Sequence, residues 1–137
     1  MIKKAAAVMA VVTMLVAGPV MNHVTAEAAD YNFSITTITQ ADTAHKKTKT
    51  NNLSTCSINI KSGVISGSLH VSARLVRKNA NGYQVNAMSA LMYTSNGTQT
   101  GKYASGDGLR GEDYFLAAKV NESSRFNSTD LVYNFQP

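Results

Sequence analysis

A chain of 137 residues carries 13 Lys and Arg against 8 Asp and Glu, one Cys and no Trp. That length makes one domain with room for a real core, and a single cysteine, Cys56, excludes an intrachain disulfide, so packing must hold the fold. A formal charge of +5 suits weak attraction to an anionic surface and falls short of the density of a nucleic-acid binder.

The first segment reads as a secretory signal peptide, residues 1–28. Lys3 and Lys4 form a short basic start, and Ala5 to Gly18 is apolar apart from Thr13. Pro19 breaks any helix, and Ala26-Glu27-Ala28 offers an A-x-A cleavage site. The apolar run is shorter than the ~20 residues a membrane span wants. Cleavage after Ala28 and release as a secreted, extracellular protein are therefore expected, with no stable membrane insertion afterwards.

From residue 29 onward, apolar and polar residues alternate as in half-buried strands. Tyr31, Phe33 and Ile35 face one way in the first of these. Residues 39–55 then lose the pattern. Thr, Lys and Asn there bury too little to form an element, so a solvated loop is expected, changing character at about Ser54. Cys56, Ile58 and Ile60 open a core strand in which Cys56 acts as a small buried hydrophobe. The alternative is an unpaired thiol that joins two chains after export. Leu69, Val71, Ala73 and Leu75 mark the next strand, and Tyr83, Val85, Ala87 and Leu91 share one face of another. Thr98 to Tyr103 is a weak edge strand. Tyr114, Leu116, Ala118 and Val120, and then Leu131, Tyr133 and Phe135, mark the last two. Ser62-Gly63, Asn81-Gly82 and Asn96-Gly97 read as hairpin turns, and residues 105–113 as a glycine-rich loop. About seven strands at this spacing predict an all-β chain, a single antiparallel β-sandwich over 29–137, with an immunoglobulin-like topology among the arrangements left open.

One stretch invites a functional reading. Lys46, Lys47 and Lys49, joined by Arg74, Arg77 and Lys78 if the fold brings them near, would make a footprint for an anionic cell-envelope polymer or a partner protein. The plain reading is a solvated loop, because exposed charges add little and salt screens them within about 8–10 Å. Nucleic acid is not expected, since no aromatic positions interleave with these lysines. Asp107, Glu112 and Asp113 lack calcium-loop spacing, so no metal is expected, and no cofactor either. N-x-S/T sequons begin at Asn32, Asn52, Asn96, Asn121 and Asn127, a modest excess for so Ser/Thr-rich a chain. No zinc, nucleophile-elbow or phosphate-loop motif appears. A hydrolase would have to be built from His45, His70 and the acids of the 105–113 loop, so a non-enzymatic protein is expected.

A lysine-led signal, the alternating strand YNFSI (31–35) and the basic-polar loop AHKKTKTNNLST (44–55) are followed late in the chain by GEDYFLAAKV (111–120) and LVYNFQP (131–137). In that order the parts resemble small secreted proteins of Gram-positive bacteria from uncharacterised families, some encoded beside bacteriocin export genes. The likeness spans the mature chain. It departs where such proteins often close on a Trp-containing strand, since Phe135 and Pro137 stand here. It implies a location and a neighbourhood rather than a mechanism. Together with the signal, the mild charge and the missing catalytic motifs, it leads to the expectation of a secreted non-enzymatic binding protein, bacteriocin-like or bacteriocin-associated. The alternative is a charge-held structural or adhesive protein of the cell wall or matrix.

Overall fold

The computed structural model describes residues 29–65, 67–121 and 126–137; the signal-peptide reading concerns residues 1–28, outside the described residues. In chain order the described strands are β1 (Tyr31–Thr36), β2 (Gln40–Ala41), β3 (Lys47–Thr48), β4 (Thr55–Ser62), β5 (Val71–Lys78), β6 (Gln84–Asn86), β7 (Leu91–Tyr93), β8 (Gly97–Lys102), β9 (Asp113–Val120) and β10 (Ser128–Gln136). They build two antiparallel sheets. One runs β1-β10-β4-β8. The other runs β2-β9-β5-β6, with β3 also pairing β9 and β7 also pairing β5.

Alternation places the core as expected. Ile58 and Ile60 of β4, Val71 and Leu75 of β5, Leu116 and Val120 of β9, and Tyr133 and Phe135 of β10 are all fully buried. They meet in one cluster between the sheets. Each such side chain contributes about 1.5–3 kcal/mol, which stands in for the staples a disulfide-free domain lacks. Cys56 belongs to this cluster at 4% exposure. Its Sγ lies 3.3 Å from Met88 Sδ, so it is unavailable for pairing with a second chain.

The structure corrects four details. The segment from Tyr83 to Leu91 is two short strands on β5, not one. The Asn79 carboxamide oxygen accepts from both Asn81 N and Tyr83 N, and this turn leaves Tyr83 outside the core at 70% exposure. Of the three expected hairpins, only Asn81-Gly82 is one, joining β5 to β6. Ser62-Gly63 and Asn96-Gly97 instead carry the chain from one sheet to the other. Gly63 is needed there because its φ is 107° and a Cβ would stand 2.3 Å from Asp130 O. The strand order differs from the immunoglobulin pattern in the place of the last strand, since β10 lies between β1 and β4.

The fourth correction concerns residues 39–55. Much of this segment is not a free loop but lines the edge of β9. Asp42 N donates to Leu116 O at 2.8 Å, Lys49 N to Glu112 O at 2.9 Å, and Gly111 N to Lys49 O at 2.8 Å. Backbone pairing, which the side-chain pattern does not reveal, draws the segment in. The change of character near Ser54 holds, because β4 begins at Thr55.

Candidate functional site

Opposite residues of an antiparallel pair point to the same side, so the register fixes the outward face of the six-stranded sheet. Its rows are Met92, Ser72 and Lys119; then Arg74, Ala117 and Ala41; then Asn86, Val76 and Phe115; then Gln84 and Lys78. Asp113, opposite Thr48, shares the side of Phe115. The floor of this face is apolar. Val76 and Ala117 are each 1% exposed and Phe115 8%, and they form a second small cluster with Ala41. Long cationic side chains flank that floor. Lys78 Nζ lies 5.7 Å from the Phe115 ring centroid, a cation–π approach that holds its charge over the cluster.

At one end the face runs into a groove of about 480 Å³, lined by Lys46, Arg77, Lys78, Glu112, Asp113 and Phe115 among others. Here the charges are largely matched. Lys46 Nζ donates to Asp113 Oδ2 at 3.0 Å, and Thr48 Oγ1 donates to Asp113 Oδ1 at 2.5 Å. These two bonds hold the Asp113 carboxyl below its ordinary range. Arg77 Nε donates to Asp107 Oδ1 at 2.5 Å and lies 3.9 Å from Glu112 Oε2. Farther along the face the balance ends. No carboxylate among the described residues lies within ion-pair distance of Arg74, Lys78 or Lys119.

The fold therefore divides the six expected cations. Arg74 and Lys78 stand on the outward face, and Lys46 reaches its end from the loop at 62% side-chain exposure. Arg77 sits at the groove inside its ion pairs. Lys47 and Lys49 leave the set. Lys47, opposite Tyr114, points inward, and its Nζ donates to Phe135 O at 2.6 Å. Lys49 is 1% exposed, with its Nζ donating to Asn51 Oδ1 at 2.7 Å and 5.0 Å from the Tyr103 ring centroid. Burial pulls the pKa of both amines below the usual lysine range. Lys119 joins the set unforeseen. Its signal was present, because a strand that buries Leu116, Ala118 and Val120 turns Phe115 and Lys119 to the other side.

His45 meets a carboxylate, but in a structural setting. Its Nδ1 is 2.8 Å from Asp42 Oδ2, and the same oxygen accepts the Tyr133 hydroxyl at 2.7 Å. Asp42 Oδ1 accepts Ala44 N, and the His45 ring stacks on Tyr31 at 4.4 Å. Asp42, at 6% exposure, closes the turn that carries Lys46 to the groove. Burial, and then the bond to Asp42, push the Tyr133 phenol well above its ordinary range.

No family model, no characterised protein and no solved structure matches the chain. Its class rests on its own fold, an all-β antiparallel sandwich with one basic outer face.

Proposed function

We propose that this chain is a secreted, non-enzymatic binding protein that docks on an anionic polymer of the bacterial cell envelope, in a bacteriocin-like or bacteriocin-associated role. The observation that carries the reading is the excess of positive charge on the outer face, where Arg74, Lys78 and Lys119 are set around an apolar floor and no described carboxylate pairs with them. Electrostatic recognition asks for such an excess. The signal-like start and the resemblance in the order of parts support the location and the role. The test is retention of the purified protein on isolated cell envelopes at increasing salt. Retention at low salt that falls as salt screens the charges, and that weakens in the triple variant Arg74→Gln, Lys78→Gln, Lys119→Gln, supports the reading. Salt-independent retention, or none, refutes it. A charge-held adhesive role in the wall or matrix would use the same face. Co-culture of a deletion strain with its parent separates the two, since unchanged killing and self-protection leave only the adhesive role.

A further inference from the structure

We propose that the polymer is a linear polyol phosphate that lies along β5. The proposal rests on the reading of the outer face as a polyanion site, and it names the chemistry of the ligand. Lys119 stands opposite Ser72, one two-residue step before Arg74, and Lys78 stands two such steps after Arg74. At about 3.3–3.4 Å per residue, their backbone positions are spaced about 7 and about 13 Å along the strand direction, with Lys119 set about 4.8 Å to one side because it stands on β9. The line is well supported, because β5 pairs β9 on one side and β6 and β7 on the other. Lys46, bonded to Asp113, stands near its far end.

A ligand that matches this line must carry its charges in its own backbone, at multiples of one short repeat. The two-residue step of a strand is six backbone bonds long. The repeat of a glycerol phosphate chain, P–O–C–C–C–O, is six bonds as well, with one negative charge each. Laid along β5, the first, second and fourth of four successive phosphates fall opposite Lys119, Arg74 and Lys78, and the third passes over the Val76 row. A polyuronate carries its carboxylates on sugar rings that alternate in direction, so its charges on one side lie at a different repeat. Arg74 adds a planar donor pair that fits two phosphate oxygens. Its stem and that of Lys78 flank Val76, so the heads are partly positioned before binding, which lowers the ordering cost. Nucleic acid shares the phosphodiester but needs faces on which bases stack, and in these rows the sole ring, Phe115, is 8% exposed.

The test measures binding of the purified protein to three probes at one salt concentration: poly(glycerol phosphate), polygalacturonate and single-stranded DNA of matched charge. Glycerol phosphate chains are expected to bind about tenfold tighter than either competitor. Arg74→Gln and Lys119→Gln should each weaken that binding several-fold. Lys102→Gln, the same charge change on the other sheet, should not, and thermal unfolding checks that each variant folds. If polygalacturonate binds as well, the polyol phosphate assignment fails while the polyanion face stands. Tightest binding to DNA also overturns it. If Lys102→Gln acts like Arg74→Gln, the placement along β5 fails. If no polymer binds, the face reading falls with it.

Discussion

Replacing Lys49 by Met is expected to stabilise the protein by about 1–2 kcal/mol. Lys49 is an ammonium at 1% exposure, and no carboxylate among the described residues pairs with it. Desolvating such an ion costs several kcal/mol even after relaxation. Its compensation is one bond to Asn51 Oδ1, worth about 1.5–3 kcal/mol, and the face of Tyr103, worth about 0.5–2 kcal/mol. Methionine keeps the length and flexibility of the stem. Asn51 Oδ1 is not orphaned by the change, because it still accepts Leu53 N at 2.9 Å. The gain should also depend on pH. Burial holds the folded pKa of Lys49 below its unfolded value of 10.5. Between those two values the unfolded chain binds more protons, so wild-type stability from this group rises with pH there. The Met variant has no such slope, so its advantage is greatest below the folded pKa and shrinks as pH climbs toward 10.5. Urea unfolding of both proteins near neutral pH and again near the lysine range reads the difference and cancels the other titrating groups. A variant destabilised by more than about 1 kcal/mol, or a gain that does not shrink with pH, would show that the ammonium is well compensated where it sits.

Lys46→Ser should leave stability within about 0.5 kcal/mol, as exposed changes do. Lys47→Ser should cost about 1–2 kcal/mol by denaturant unfolding, because its stem packs beside Tyr31 and Phe135 and its ammonium holds a strand carbonyl. Native Cys56 should resist a thiol reagent until the protein opens, since burial also pushes the thiol pKa up; Cys56→Ser should cost about 1–3 kcal/mol. Fast labelling with a neutral Ser variant would place the thiol outside the core. Gly63→Ala should lower stability by about 2–3 kcal/mol, through its backbone angle and the clash with Asp130 O. A neutral result in thermal unfolding would mean that the crossing between sheets relaxes.

The layers of the fold were legible because period-two alternation reports burial directly. Cys56, Ile58 and Ile60, or Leu131, Tyr133 and Phe135, cannot face anything but the core without exposing a whole strand side. Connections were less legible. The same Asn-Gly and Ser-Gly signals mark a hairpin at Gly82 and a crossing between sheets at Gly63, because glycine answers a local angle and not the destination of the chain. The basic run shows the same limit. Within HKKTK the side chains look alike, yet a two-residue pairing with β9 turns Lys47 inward, and the bonds of Lys49 N and O to Glu112 and Gly111 carry its side chain under cover. Arg74 and Lys78 were readable as outward partners of Leu75. Lys119 was readable too, from the phase of its own strand.

The size of the charge excess limits what the outer face can do. A basic residue near an anionic surface contributes about 1 kcal/mol, so Arg74, Lys78 and Lys119 together supply about 3 kcal/mol. That is less than the ~4.1 kcal/mol of a millimolar complex. A single small anion should therefore show no measurable binding, and Lys46 adds little while Asp113 holds it. A polymer changes the arithmetic. Each chain offers many overlapping registers, and once one phosphate engages, the next is held at a high effective concentration. Binding should thus grow with chain length while inorganic phosphate competes poorly. If orthophosphate at charge parity displaces the polymer completely, the face is a pocket for one anion, and the line of charges along β5 has no part in recognition.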